Sequence, residues 1–293
     1  MIEPGIYEGI SNEEYHRAAG WRDLVGSTSL KAMGRTPAHA KVILEASDDR
    51  RPCYDFGIAM DDMLSDAAGF VERVAVMPKM ERRSKVGKAI AAAWEQSNAH
   101  KAWITQEQLD SCMAISRRVW SSERMREILD GAEYQLSIVF DFFGTPCKCR
   151  PDFVNRKLGL AGDWKTTRDA DPKNYFGLPR DIRNLKYFVQ LGLYAYGIEQ
   201  ILGFRPDPYY IVALESAPPN GIQRYALREN SLNYGILQAK VWAKQLAECR
   251  ETDTWTCYSD EDAEWELDER DQIRIASESD EDESADQPIE AYI

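Results

Sequence analysis

The hydrophobic pattern of the chain changes near residue 133. Before that point apolar residues recur at helical spacing, as in DFGIAMDDMLSDA from residue 55 and in most of residues 84–130. Thr105 followed three residues later by Gln108 is a capping-box pair, which predicts that a helix begins after the threonine. The first 130 residues are therefore predicted to be mainly helical.

From Glu133 onwards apolar and polar residues alternate. EYQLSIVFDFFG, PCKCRPDFVN and LAGDWKTT follow one another across short turns, which predicts three strands of an antiparallel meander. NLKYFVQLGLYAYGIEQILG has an apolar stripe at helical spacing, DPYYIVALES and IQRYALRE return to strand, and SLNYGILQAKVWAKQLAECR is typical of a helix. The predicted fold class is α/β (α+β), with a mixed central β-sheet flanked by helices.

The net charge of −13 comes from one end of the chain. Residues 260–293 hold 15 acidic residues and 2 arginines, which leaves 34 acidic and 34 basic residues in the rest. That neutral remainder is long and apolar enough to bury a sizeable core. We therefore predict one domain over residues 1–258 and an acidic, disordered tail over residues 259–293.

Several protein classes are disfavoured by composition. No run of 18 apolar residues occurs, and the first residues lack a basic segment followed by an apolar one, so we expect a cytoplasmic protein without a membrane partner. The 6 cysteines form no CxxC pair, and the 3 histidines do not have zinc-site spacing. Reduced, buried thiols are the expected state of the cysteines, with an iron–sulfur cluster as the alternative.

Three charged residues lie on segments that are otherwise apolar. Asp152 follows Pro151, and Asp163 and Lys165 take alternate positions of the next predicted strand, so the last two share a face. Carboxylates held close together repel unless a cation lies between them, and they are good ligands for hard divalent ions. A metal site is one interpretation of this spacing. The other is an exposed salt bridge at a sheet edge, which is common and contributes little stability.

These motifs resemble those of the PD-(D/E)xK nuclease superfamily. The P-D pair at 151–152, the D-W-K triplet at 163–165 and the Q-x-x-x-Y element at 190–194 are similar to its RecB-like branch. Seven segments also occur in the order seen in the nuclease domain of RecE and related phage exonucleases: PGIYEGISNEEYH, STSLKAMGRTPAH, DFGIAMDDML, VMPKMERRSKVGKA, CKCRPDFV, GDWKTT and KYFVQLGLYAYG. The resemblance implies a restriction-endonuclease-like core.

The resemblance also implies roles for the matching residues. Asp152 and Asp163 would bind one or two Mg²⁺ or Mn²⁺ ions, with the main-chain carbonyl of Trp164 as a further ligand. Lys165 would orient the attacking water. Glu133 is similar to an acidic position that approaches the metal in some relatives, although a solvated strand end is an equal interpretation.

The helix after these strands would contact the substrate. By resemblance, Gln190 and Tyr194 would position the DNA strand, with Tyr187 near them. A tyrosine among apolar neighbours on a helix is also typical of a core residue, so Tyr194 has a structural alternative.

One position departs from the family pattern. The family has a histidine at the end of a G-x-x-x-H element, whereas residues 57–61 end in Asp61. An aspartate can ligate a hard cation and suits magnesium well. The alternative is a degenerate site in which Asp61 and Asp62 are surface residues.

A basic segment, MERRSKVGKA, is the candidate DNA contact. Cations on a loop can neutralise phosphates and give salt-sensitive binding. A solvated surface loop is the alternative. The residues concerned are Arg82, Arg83, Lys85 and Lys88.

The resemblance implies a Mg²⁺- or Mn²⁺-dependent exonuclease that acts on double-stranded DNA ends. It would leave single-stranded tails for recombination with a single-strand annealing partner, and a ring-shaped homo-oligomer is the assembly that the RecE likeness suggests. Two alternatives stay open. One is a non-catalytic module that binds DNA ends or a partner protein, and the other is a structure-specific endonuclease.

Overall fold

The computed structural model describes residues 2–46 and 54–285. Its strands are β1 (Gly5–Tyr7), β2 (Val74–Val76), β3 (Ala102–Ile104), β4 (Glu133–Tyr134), β5 (Ser137–Phe142), β6 (Thr145–Cys149), β7 (Phe153–Asn155), β8 (Leu160–Thr167), β9 (Tyr209–Glu215) and β10 (Ile222–Leu227). Its helices are α1 (Asn12–Arg17), α2 (Ser27–Met33), α3 (Pro37–Glu45), α4 (Asp55–Ser65), α5 (Phe70–Arg73), α6 (Lys85–Ser97), α7 (Gln106–Ser121), α8 (Glu123–Leu129), α9 (Leu178–Asn184), α10 (Tyr187–Leu202), α11 (Glu229–Thr252) and α12 (Glu269–Ala285).

The central sheet is mixed, as the alternating pattern predicts. Its five strands lie in the order β10-β9-β8-β7-β4, with β8 and β9 parallel and the other neighbours antiparallel. The parallel pair is joined through α9 and α10, which is the long connection that parallel strands require. Strand β8, which carries Asp163 and Lys165, therefore lies in the middle of the sheet.

The predicted meander keeps its antiparallel order but is shared between two sheets. Its first two segments pair as β4 with β7 in the central sheet and as β5 with β6 in a second sheet of order β1-β5-β6. At the interruption Gln135 has a φ of 52°, and its backbone N–H donates to the Asp152 carbonyl at 3.2 Å. The left-handed conformation at Gln135 turns the chain out of the ladder. Asp152 thus lies in the gap between the two sheets and not within a strand.

A hydrophobic core covers each face of the central sheet. Along β9, Tyr209, Ile211 and Ala213 belong to the core shared with α10 and α11, whereas the residues between them pack with α4, α7 and α8. Period-two alternation places Asp163 and Lys165 on the face covered by α10. The site described below is therefore enclosed by helices.

Helices α10 and α11 approach each other closely at glycine. A Cβ atom added to Gly235 would lie 2.1 Å from the Phe188 carbonyl oxygen, so a side chain at this position forces the helices apart. We predict that Gly235→Ala lowers the free energy of unfolding by about 1–3 kcal/mol. Gly57→Ala is a matched control in α4, because its Cβ would meet only Thr166 Oγ1 at 4.0 Å.

Denaturant titration of both variants checks the prediction. Gly57→Ala should gain about 0.5–1 kcal/mol from helix propensity alone. If Gly235→Ala gains stability as well, the close packing of α10 on α11 is wrong.

The C-terminal unit, Tyr258–Ile293, is separate from the unit Met1–Cys257. This unit contains helix α12. Asp268 accepts a hydrogen bond from the Asp271 N–H at 2.9 Å at the start of this helix, and Arg274 pairs with Asp271 at 3.4 Å. These local contacts stabilise the start of α12. Disorder of the acidic tail in solution stays a prediction.

No helix in the described part of the chain combines the length and the hydropathy that a membrane span needs.

Candidate active site

Asp163 and Lys165 form an ion pair on one face of β8. The Lys165 Nζ lies 3.4 Å from Asp163 Oδ2, and only 1% of the Asp163 side chain and 16% of the Lys165 side chain are exposed. An exposed salt bridge at a sheet edge is therefore the wrong interpretation of this pair. A buried ion pair is costly to desolvate, which points to a use other than stability.

Asp152 is joined to β8 by two hydrogen bonds, each of which has a backbone N–H as its donor. Its Oδ2 accepts a hydrogen bond from the Trp164 N–H at 2.7 Å, and its own N–H donates to Asp163 Oδ1 at 3.3 Å. The ladder between β7 and β8 ends at Gly162, so this edge of β8 is open beyond it. Beyond Gly162 the backbone of β8 has no ladder partner on β7. The Trp164 N–H and the Asp152 N–H bond to the two carboxylates instead, and this brings the carboxylates together.

The Trp164 carbonyl is directed at the same edge. In a strand the N–H and C=O of one residue point to the same side. Because the Trp164 N–H points to Asp152, its carbonyl oxygen points to the same edge of β8. The indole ring lies on the other face of the sheet, against Phe153 at a centroid distance of 4.9 Å.

Arg150 anchors the segment that precedes Asp152. Its guanidinium donates to Ser137 Oγ at 2.9 Å, to Asn12 Oδ1 at 2.8 Å and to the Ile10 carbonyl at 3.0 Å, and it stacks on Tyr15. Three hydrogen bonds hold this buried cation, and they connect the N-terminal residues to the gap between the sheets. The position of Asp152 is thus fixed from its N-terminal side.

Gln190 links α10 to the ion pair. Its Nε2 donates to Asp163 Oδ2 at 3.3 Å, and its Oε1 accepts from Lys31 Nζ at 3.2 Å. An ammonium only donates and a carboxylate only accepts, so a glutamine between them has a single orientation. Lys31, on α2, therefore orients the Gln190 amide.

Tyr187 lies beside both lysines. Its ring centroid is 5.4 Å from Lys165 Nζ and 5.7 Å from Lys31 Nζ, so two cations face one aromatic ring. Burial raises the pKa of Tyr187 above its usual value. Tyr187 therefore forms part of the wall of the site as a neutral phenol.

The pKa values of Lys165 and Lys31 are shifted in opposite directions. Burial alone would lower the pKa of Lys165, but the charges of Asp163 and Asp152 outweigh burial and raise that pKa above its usual value. Burial, followed by the charge of Lys165, lowers the pKa of Lys31 to about 8. Lys165 is thus a permanent ammonium donor, whereas Lys31 loses its proton in mildly alkaline solution.

We predict that Lys31→Met lowers the nuclease activity that the family resemblance implies about 10- to 100-fold, the range found when a group that orients a ligand is removed. The reason is that Gln190 can then turn its amide away from Asp163. Lys31→Arg should restore activity, because a guanidinium also only donates. Wild-type activity should fall as the pH rises past about 8, and Lys31→Arg should remove this fall.

Rates of nucleotide release between pH 6.5 and 9.5 measure both effects. Equal rates for the wild type and Lys31→Met would show that Lys31 does not orient Gln190.

Asp61 reaches the site through Gln135. The Gln135 Nε2 lies 2.7 Å and 2.8 Å from the two Asp61 carboxylate oxygens and 3.4 Å from Asp152 Oδ1. Burial raises the pKa of Asp61 to about 6, with Asp62 and Asp163 adding to the increase. Asp62 is buried and pairs with Arg73 at 2.7 Å, and Asp61 is half-buried, so neither is an exposed surface residue.

The donor set fits a hard divalent cation. Burial and then the charges of Asp163 and Asp61 raise the pKa of Asp152 well above its usual value, which is the repulsion that such an ion relieves. Within residues 2–46 and 54–285, no three His, Cys, Asp or Glu side chains form a closed metal cage. The Gln135 amide lies between Asp61 and Asp152. The groups that could hold such an ion are Asp152, Asp163 and the Trp164 carbonyl, and their role as ligands stays a prediction.

Tyr194 is placed one turn after Gln190 and is buried in the core. Burial, followed by the charge of Asp163, raises the pKa of its hydroxyl. Its burial is typical of a core residue, and a role in positioning a DNA strand stays a prediction.

Glu133 is not brought to the carboxylates. Its Oε1 pairs with Arg156 Nε at 2.6 Å, and its side chain is 37% exposed. The backbone of Glu133 pairs with Val154, two residues beyond Asp152. Of its two interpretations, the solvated strand end fits the structure.

The basic segment lies on the surface before and within the first turns of α6. Arg82, Arg83, Lys85 and Lys88 are exposed, and Arg82 pairs with Glu95 at 2.8 Å. Glu81 accepts from the N–H groups of Arg83 and Ser84 and so orders the loop. Contact of these cations with DNA remains a prediction.

Lys31 and Gln135 are the site residues that sequence reasoning missed. Lys31 lies within STSLKAMGRTPAH, one of the segments with the family resemblance, and a lysine among apolar neighbours there was a usable signal. Nothing in the sequence marks Gln135 in this way, because the pattern of EYQLSIVFDFFG predicts one uninterrupted strand. Its role depends on the break in the ladder.

The fold and the site together define the class of protein. A mixed sheet with Pro151-Asp152 before one strand and Asp163-Trp164-Lys165 on the next is the arrangement of the PD-(D/E)xK superfamily. The chain belongs to the family described as "PDDEXK-like domain of unknown function (DUF3799)", whose sequence model matches residues 26–265.

Solved structures extend the comparison. The chain is similar to a structure titled "Putative exonuclease" from Eubacterium rectale, with 12% sequence identity, a TM-score of 0.59, and coverage of 89% of this chain and 97% of that chain. At this identity the likeness shows a shared fold. A second structure, SSO0001, has 13% identity over 68% of this chain and 88% of that chain, but its TM-score of 0.28 supports no argument. No curated protein matches the chain.

Proposed function

We propose that this chain is a divalent-metal-dependent deoxyribonuclease that removes nucleotides from the ends of double-stranded DNA and leaves single-stranded tails. The observation that carries the proposal is the convergence of Asp152, Asp163 and Lys165 in one partly buried volume. Desolvating charged groups so close together lowers the stability of the folded protein, so their presence indicates a chemical function. The RecE-like segments and the fold shared with the Eubacterium rectale protein support an exonuclease within this class.

Each group has a defined task in phosphodiester hydrolysis. A Mg²⁺ or Mn²⁺ ion at Asp152 and Asp163 would supply positive charge against the charge that develops on the phosphate. Lys165, held by Asp163 and protonated at neutral pH, donates a hydrogen bond that orients the attacking water. Gln190, whose amide is oriented by Lys31, donates a hydrogen bond to Asp163 and so holds that carboxylate in place. It also lies beside the path that we propose for the DNA strand.

End-labelled linear duplex and covalently closed circular DNA test this function together. With Mg²⁺ the protein should release nucleotides from the linear duplex and leave the circle intact, because an exonuclease needs an end. Cleavage of the circle would favour the structure-specific endonuclease. A protein that is inert on both substrates with Mg²⁺ and with Mn²⁺ would refute the enzyme.

One observation favours a second candidate, a non-catalytic module that binds DNA ends or a partner. Asp61 stands where the family has histidine, and it is held by Gln135 and Ser65. Calorimetric titration with Mn²⁺ separates the two functions. A catalytic site should bind the ion, and Asp152→Asn should abolish this binding.

The product of the reaction indicates the partner and setting that we propose. Single-stranded tails at duplex ends are the substrate of strand-annealing proteins, so we propose a role in DNA recombination alongside such a protein. Co-purification of the chain with a single-strand annealing protein from the same genome would test this pairing.

A further inference from the structure

An aromatic loop follows the strand that carries Lys165. We define the aromatic loop as residues 168–177, between β8 and α9. We propose that Tyr175 and Phe176 at its tip form a stacking surface for the unpaired bases of a DNA single strand that enters the active site. This inference rests on the proposed function and specifies the form in which that site receives its substrate.

The two rings are exposed side by side. Tyr175 is 57% exposed and Phe176 is 72% exposed, and their centroids lie 5.7 Å apart with an angle of 85° between the ring planes. Single exposed apolar residues are common and need no explanation. Two adjacent aromatic rings on an ordered loop offer a larger surface, and bases stack on such rings without regard to sequence.

The loop is held rigidly by its own polar groups. Asp169 Oδ1 accepts from the Asp171 N–H at 2.8 Å, Asp169 Oδ2 accepts from the Asn174 amide, and Asn174 Oδ1 accepts from the Phe176 N–H at 3.0 Å. The Asp169 carbonyl also accepts from the Leu178 N–H at 3.3 Å, which closes the loop at its base. A preorganised loop loses little conformational entropy when a ligand stacks on it.

Two contacts fix the loop to the central sheet. The Ala170 N–H donates to Glu215 Oε1 at 3.1 Å at the end of β9, and the Tyr225 hydroxyl on β10 donates to the Ala170 carbonyl at 2.9 Å. The position of the two rings therefore follows the sheet that carries Lys165.

Chain connectivity keeps the base of the loop close to the active-site strand. Its base, Asp169, is four residues beyond Lys165, so the two Cα atoms are at most about 14 Å apart. At its other end α9 packs on α10, the helix that carries Tyr187 and Gln190. The aromatic loop and α9 together therefore connect β8, which supplies Lys165, to α10, which supplies Gln190.

Charge favours a nucleic-acid ligand. The Arg183 guanidinium lies over the Tyr175 ring at 4.3 Å, and the loop itself carries Arg168 and Lys173. The acidic residues of this segment are engaged locally. Asp169 and Asp171 accept loop N–H groups, and Asp181 pairs with Arg180 at 3.2 Å. Aromatic rings with arginine and lysine around them match the bases and phosphates of a single strand.

A single strand fits better than a duplex. In a duplex each base is already stacked and paired, so its π-face is not available to Tyr175 or Phe176. A nuclease that leaves single-stranded tails meets unpaired bases at every step. The loop therefore suits the strand separated from its complement near the catalytic lysine.

Binding of fluorescent oligo-dT in EDTA tests the inference without catalysis. We expect Tyr175→Ala/Phe176→Ala to weaken binding of oligo-dT by at least about fivefold, the lower end of the effect of removing one stacked base. Trp120→Ala is the matched control, since Trp120 is an aromatic residue 42% exposed on α7, which contributes no residue to the site. The control should bind oligo-dT like the wild type.

A sugar-phosphate oligomer without bases provides the second arm. If stacking is the mechanism, the wild type and the double variant should bind this oligomer equally. Unchanged oligo-dT binding by the double variant, or an equal loss for both oligomers, would overturn the inference. The first result would leave the rings as a surface for another ligand such as a protein, and the second would assign the loop to phosphate contact alone. Failure of the nuclease proposal would appear separately, as a wild type that is inert on linear duplex.

Discussion

Lys165→Met is expected to reduce nucleotide release from linear duplex by at least about 10²–10³-fold, the loss seen when one preorganised donor is removed from a transition state. The Lys165 ammonium is held 3.4 Å from Asp163 and stays protonated because two carboxylates surround it. Methionine keeps much of the length of the side chain but donates no hydrogen bond. Initial rates with Mg²⁺, measured on end-labelled duplex, give the ratio.

Lys157→Met is the matched control for this prediction. Lys157 is an exposed lysine in the turn before β8, so its loss should leave the rate unchanged. Circular dichroism should show that both variants are folded. A Lys165→Met protein that is folded and retains the wild-type rate would remove Lys165 from the mechanism.

Asp152→Asn is expected to abolish activity and, at the same time, to stabilise the metal-free protein at neutral pH. Burial and the charges of Asp163 and Asp61 raise the pKa of Asp152 well above its usual value. The folded state therefore binds more protons than the unfolded state above pH 4, and the free energy of unfolding falls as the pH rises. Each unit of increase in that pKa corresponds to about 1.4 kcal/mol of lost stability.

An asparagine at position 152 avoids this loss of stability and keeps one of the hydrogen bonds of the aspartate. It has no charge to repel Asp163, and its carbonyl oxygen can still accept the hydrogen bond from the Trp164 N–H. Denaturant titration in EDTA at pH 5 and pH 8 should show a smaller decrease with pH for Asp152→Asn than for the wild type. The control, Asp110→Asn on the exposed side of α7, should follow the wild type. A variant that is less stable than the wild type at both pH values would mean that Asp152 is a structural hydrogen-bond acceptor.

The sequence predicts the parts of the site that depend on local periodicity. Alternation along LAGDWKTT places Asp163 and Lys165 on one face of β8, and the structure has them there. The position of Gln190 follows from the helical pattern together with the family resemblance. In each case neighbouring residues within one element determine where the side chain points.

The parts that escaped prediction depend on distant contacts. The break at Gln135 is a backbone conformation with a φ of 52°, which a period-two pattern cannot reveal. Lys31 meets Gln190 across 159 residues, and only the packing of α2 on α10 brings them together. The same limit explains Glu133, whose partner Arg156 comes from a different turn of the chain.

The most direct test of the central claim is a crystal soaked in Mn²⁺ and measured where manganese scatters anomalously. We predict an anomalous peak within bonding distance of one carboxylate oxygen of Asp152 and one of Asp163, close to the Trp164 carbonyl. The same peak should be missing from crystals of Asp152→Asn. Wild-type crystals with no peak between the two aspartates, under conditions in which the protein binds Mn²⁺ elsewhere, would contradict the proposal that these residues form a metal-dependent nuclease site.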